Sequence, residues 1–167
     1  MDLRQPNTST NALSLLQSPK GPNHVNNLEV SLIDPWEVDL QSLGFEQQTV
    51  VRIPKPAAYI LHKSLVAKRR RHKEKTAKDL YYIFYVLESF PDWRDGIFAD
   101  LRQYKNTHRK QSAKALNYLE SLFADINSTG IQHLLSQRPV SSFSEMTDDQ
   151  FRQYALATIR NLIEVLR

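Results

Sequence analysis

The residues from Pro54 to Phe90, PKPAAYILHKSLVAKRRRHKEKTAKDLYYIFYVLESF, constrain the fold more than any others. They read as two helices joined by a basic turn. Pro56 suits a first helical position, where its fixed φ and missing N–H cost nothing. Ala58, Leu61 and Leu65 recur at helical spacing and form one stripe of a first helix. Counting roughly 100° per residue, Lys63 lies about 200° round from Leu61, on a face shared with Tyr59, Val66 and Arg70. One side of this helix is therefore apolar, and the other presents Lys63 and Arg70.

Thr76-Ala-Lys-Asp79 has the form of a capping box, which predicts a second helix starting at Thr76. Leu80, Ile83, Phe84, Val86 and Leu87 follow. They are apolar around much of the circumference, so this helix is expected to be buried on more than one side. Asp79 shares a side with Tyr82, Ile83 and Val86. A carboxylate at the end of a buried face needs a partner, because desolvating an unpaired charge is costly. Lys63 and Arg70 are the nearest cations on a matching face.

The segment Val51 to Glu88, VRIPKPAAYILHKSLVAKRRRHKEKTAKDLYYIFYVLE, resembles the C-terminal part of a bacterial family of nucleotidyltransferase-fold proteins. More remotely, it is similar to the nucleotidyltransferase toxins of abortive-infection systems. The resemblance spans about a quarter of the chain and rests on order and spacing together. Ser64 stands where the family usually has Leu. In those toxins, a helix Lys and a later Lys/Arg-Asp-Leu motif complete the active site. The matching positions here are Lys63 in HKSL and Asp79 in AKDL. The resemblance implies that Lys63 contacts a triphosphate and that Asp79 orients Lys63 or the acceptor. Arg69, Arg70 and Lys78 are the implied phosphate-binding cations. The implied reaction is metal-dependent transfer of a nucleotidyl group from a nucleoside triphosphate with Mg²⁺, onto RNA or protein.

Such enzymes also carry a Gly-Gly or Gly-Ser turn followed by Asp-x-Asp, because paired carboxylates hold the metals that bridge the triphosphate. This sequence contains neither dipeptide and no Asp-x-Asp. Glu37-Val-Asp39 has the spacing, but no glycine turn precedes it and Pro35 lies beside it, so no metal ligand is assigned. The expectation is a truncated family member, catalytically silent as this chain.

At 167 residues the chain suits one domain with a real core. It has no cysteine, hence no disulfide framework or thiolate metal site. No signal-peptide pattern or membrane-length apolar run appears, so a cytoplasmic protein without membrane contact is expected. The net charge of +4 and isoelectric point near 9.3 permit contact with nucleotide phosphates or nucleic acid without demanding it.

Residues 1–27 are rich in Asn, Ser, Thr, Gln and Pro, and read as a flexible polar arm with at most one helical turn at Leu13 to Leu16. From Leu28 to Ile33 the residues alternate with period two, and Gln48 to Ile53 is a second β-rich run. Residues 28–54 are thus expected to form a two-stranded β remnant of the nucleotidyltransferase core. On that strand the family's third metal carboxylate would fall at Ser31, with Glu29 on the same face. Ser31 cannot serve as a carboxylate does, and Glu29 reads as a solvated strand residue. A two-stranded ribbon is marginal in water. It needs either the Pro56 helix or the sheet edge of a protein partner.

The run Lys68 to Lys75 is the densest charge in the chain. Two readings compete for it: a solvated helix end complementing the helix dipole, and a grip on nucleotide or RNA phosphates. The first is preferred for the run as a whole, with Arg70 excepted because it shares the face of Lys63. His62 reads as a packing or hydrogen-bonding residue, since no ligand type stands three or four residues on.

Residues 55–167 are expected to form a helical domain. Pro91-Asp-Trp93 ends the second helix. Ile97, Leu101 and Tyr104 mark a third. Ala113, Leu116, Leu119, Leu122 and Phe123 mark a fourth, with Gly130 in the link after it. Leu134 and Leu135 add a further turn, and Pro139 to Ser144 form a loop. Thr147-Asp-Asp-Gln150 is a capping box opening a final helix with Phe151, Tyr154, Ala155, Ile159, Leu162, Ile163 and Leu166 on its inner face. The whole reads as mainly α with a small N-terminal β element, the C-terminal helical portion of a nucleotidyltransferase-fold (α+β) protein. Two alternatives are a basic nucleic-acid-binding helical module and an interaction subunit that docks onto a separate catalytic chain.

Overall fold

The computed structural model describes residues 28–139 and 143–167. The polar arm, with its suggested turn at Leu13 to Leu16, lies outside the described residues, as does part of the loop after Pro139. Helices dominate. In order they are α1 (Leu28–Ser31), α2 (Pro56–Ala67), α3 (Lys73–Ser89), α4 (Arg94–Thr107), α5 (Arg109–Leu122), α6 (Thr129–Ser136) and α7 (Asp148–Leu166). Between α1 and α2, β1 (Trp36–Asp39) pairs antiparallel with β2 (Val50–Ile53), with Trp36 opposite Ile53 and Glu37 opposite Arg52. Among the described residues, no helix is long and apolar enough to cross a membrane.

Helix α3 sits at the centre, packed against α2, α6 and α7. Its apolar residues do face more than one way. Phe84 stacks edge-on to Phe151 of α7, and Ile83 and Leu87 are fully enclosed. Helix α2 buries Ala57, Ala58, Ile60, Leu61 and Leu65 against α3, α4 and α5, which leaves Lys63 on its outer side. The capping box at Thr147 forms in full: its Oγ1 accepts from the Gln150 amide at 3.3 Å, and Gln150 Oε1 accepts from the Thr147 amide at 2.8 Å.

Four local expectations are corrected. Leu28 to Ser31 is a helical turn, not a strand. Burial selects Val30 and Ile33, three apart, and leaves Leu32 exposed, a helical spacing that period-two alternation would not give. The strand paired with β2 is instead Trp36–Asp39, reached through Asp34 at φ 45°. The face argument for Ser31 and Glu29 as strand neighbours therefore fails.

Helix α3 starts at Lys73, three residues before Thr76. The Thr76 hydroxyl donates to the His72 carbonyl at 3.2 Å rather than capping, and Asp79 turns inward instead of reaching back. On α5 the buried residues are Ser112, Ala115 and Leu119, one position out of phase with Ala113, which is exposed. Alanine has too little side chain to set the phase of a helix whose bulky members Tyr118 and Leu122 pack inward. Gly130 lies within α6, not in a link.

Candidate functional site

Helix α2 carries Lys63 on its outer face, and the second turn of α3 carries Asp79 beside it. Asp79 is 3% exposed, yet both its oxygens are paired. The Lys63 ammonium donates to Oδ1 at 2.7 Å, and Arg70 Nε, from the turn between the helices, donates to Oδ2 at 2.7 Å. This double pairing removes the penalty of a lone buried charge. The Lys63 Nζ also lies 5.4 Å from the centre of the Tyr59 ring and 5.1 Å from that of Tyr82, within cation–π range of both. Lys78 faces the same Tyr82 ring at 5.7 Å.

The electrostatics of this cluster favour an anion. Two cations stand against one carboxylate, and Lys78 adds a third nearby. Arg70 spends only its Nε on Asp79, and its terminal nitrogens meet no acceptor among the described residues. Its side chain is 38% exposed. Lys63, at 17% exposure, donates to Asp79 and also meets the Tyr59 side chain. Burial pushes the Tyr59 phenol above its usual pKa, with Lys63 acting the other way. Burial, and then the Asp79 charge, does the same to Tyr118 of α5. Both phenols are neutral donors at physiological pH.

The same donor set does not fit a divalent metal. Among the described residues Asp79 is the one carboxylate in the cluster, and both its oxygens are taken by cations. Elsewhere Glu37 is paired with Arg52 across the ribbon at 3.0 Å, and Asp39 accepts from the Gln41 amide at 3.0 Å. Among the described residues, no three of His, Asp and Glu gather into a possible metal site.

Of the residues singled out from sequence, Lys63, Arg70, Asp79 and Lys78 come together. Arg69 does not join them. It lines a separate concavity with Lys68, Lys110 and Lys114, on the far side of α2. Tyr59 and Tyr82 were each legible as lying on the face of Lys63 or Asp79, but their role as rings bracketing the ammonium was missed. The i, i+4 spacing of Tyr59 and Lys63 was the available signal. For Tyr118, contributed from another helix, no local signal exists.

Comparison with curated proteins finds no match, and neither does comparison with solved structures. A family model described as nucleotidyltransferase matches residues 2–104, well over half the chain, and the matched span contains Lys63, Arg70, Lys78 and Asp79. The chain therefore belongs to that nucleotidyltransferase family.

Proposed function

We propose that the Lys63–Asp79–Arg70 cluster is the triphosphate-facing wall of a nucleotidyl-transfer site, and that this chain is catalytically silent without carboxylates from another polypeptide segment. The observation that carries the reading is a buried carboxylate saturated by two cations, of which Arg70 keeps its terminal nitrogens without an acceptor among the described residues. In this scheme Asp79 positions rather than reacts. It fixes the Lys63 ammonium between the two tyrosine rings and holds Arg70 by one edge. The free guanidinium edge then meets phosphate oxygens in the paired geometry that suits them. Mg²⁺ is the metal that such transfer uses. With no Asp-x-Asp in the sequence and Asp79 already occupied, no metal-borne step is assigned to these residues.

The test pairs binding with turnover. Nucleoside triphosphate binding by calorimetry is expected to weaken about tenfold in both Lys63→Ala and Arg70→Ala, the loss of one charged hydrogen bond. Labelled nucleoside triphosphate with Mg²⁺ and a mixed RNA pool is expected to give no transfer. Binding indifferent to both substitutions overturns the site. Transfer that Lys63→Ala abolishes overturns the silence.

The ribbon supports a second reading, an interaction subunit that docks onto a separate catalytic chain. Its strands and connecting turn expose Leu43, Phe45, Val50 and Ile53, all at least 40% accessible. A ribbon this apolar suits addition to a partner's sheet. Co-purification from the native host, lost on Val50→Lys, is expected. A monomer in size exclusion with no co-purifying chain speaks against it.

A further inference from the structure

Opposite the Lys63 cluster, α2 and α5 enclose an open concavity of about 530 Å³. Lys68 and Arg69, just after the end of α2, line it together with Lys110 and Lys114, one turn apart on α5. Leu65 lines it between them, and Glu29 is its one carboxylate among the described residues. None of the four cations has an ion-pair partner among the described residues. Among the described residues, four cations and one acid line this concavity.

We propose that this concavity binds the phosphodiester backbone of a single-stranded nucleic acid, separately from the triphosphate-facing wall. All four cations are exposed and spread over two elements, with no buried convergent donors. That arrangement suits successive phosphates of a passing strand, held by surface Lys and Arg without base readout. A compact nucleotide would call for an enclosed pocket with a few precisely placed polar groups. Leu65 falls about 200° round α2 from Lys63. In the turn that follows the helix, Arg70 reaches Asp79 while Arg69 lines the concavity. Adjacent arginines thus serve opposite faces. Of the charge run itself, Lys73 and Lys75 take no part here, and the two cations on α5, remote in sequence, complete the site.

The inference needs no transfer activity, so binding alone tests it. A labelled single-stranded RNA 20-mer and the DNA of the same sequence are titrated with the full chain by fluorescence anisotropy between 50 and 200 mM salt. Four phosphate contacts predict a slope of log affinity against log salt near −3. Lys110→Gln with Lys114→Gln, both on the exposed face of α5, is expected to weaken binding at least tenfold and to flatten the slope by about 1.4. Arg70→Ala is expected to leave it unchanged. Binding of either strand with this pattern supports the proposal, and the ratio of the two affinities says which strand is preferred. No binding, or binding that the α5 pair does not move, overturns it. Loss in Arg70→Ala alone also overturns it, by placing the nucleic acid at the other wall. So does free nucleoside triphosphate displacing the strand at equal concentration of phosphate groups. Circular dichroism of the double variant confirms that the helices persist.

Discussion

Asp79 is buried at the seam of α2 and α3, where a carboxylate is stable only with partners. Replacing it with asparagine keeps the shape and removes the charge, leaving the Lys63 ammonium and the Arg70 guanidinium beside a neutral amide. Breaking a buried pair from one side costs about 3–5 kcal/mol. Because Lys63 and Arg70 can regain water, at 17% and 38% exposure, Asp79→Asn is expected near the low end, about 3 kcal/mol. Arg70→Ala leaves the Lys63 pair intact and is expected to cost under about 1 kcal/mol. Urea unfolding followed at 222 nm separates the two. Equal midpoints for Asp79→Asn and the wild type would mean that the pairs add nothing to the fold. The partnership of these three residues was legible because helical faces can be counted from sequence. The Thr76 capping box was not ruled out by counting, since α3 begins a turn earlier and lends Thr76 a backbone acceptor at His72.

Helix α6 shows why an element's existence was easier to read than its position. Leu134 and Leu135 announced a turn, yet the helix begins at Thr129 and takes Gly130 into its first turn. A Cβ at Gly130 would come within 2.7 Å of the Leu122 carbonyl and the Phe123 ring. Glycine here is a consequence of close packing between α5 and α6, a contact that no local pattern records. Ordinarily Gly→Ala in a helix gains about 1 kcal/mol. At this position the backbone carbonyl cannot yield as a flexible side chain would, so Gly130→Ala is expected to destabilise by about 1–3 kcal/mol through overpacking. Gly96 of α4, with nothing within 4 Å, is the control and should show the ordinary gain. Urea midpoints of both variants decide the matter. A stabilised Gly130→Ala would mean that α6 does not seat against Phe123.

For the molecule as a whole, the mainly helical class with a small β element was legible, because 3.6-residue periodicity over long segments is hard to mistake. The location of the first strand was not, since six residues fit either period and only burial of Val30 and Ile33 settles it. The ribbon that results is joined to the helices chiefly through aromatic contacts, with Trp36 of β1 set edge-on to Trp93 at 5.7 Å and Phe90 stacked on Trp93. These are the two tryptophans of the chain, so their emission reports this junction alone. A two-stranded ribbon with exposed Val50 and Ile53 buries little surface, and its opening costs less than unfolding the helical core. Tryptophan emission is therefore expected to change at lower urea than ellipticity at 222 nm. Trp36→Ala should abolish the early change in emission while moving the 222 nm transition by no more than about 0.5 kcal/mol, the scale of a surface substitution. Phe84→Ala, at the centre of the contact between α3 and α7, should instead lower the 222 nm transition by about 3–5 kcal/mol. Coincident transitions in the wild type would show the ribbon and the helices to be one cooperative unit. In that case the apolar ribbon is already fully supported by its own chain, and the argument that it awaits a partner's sheet loses its physical basis.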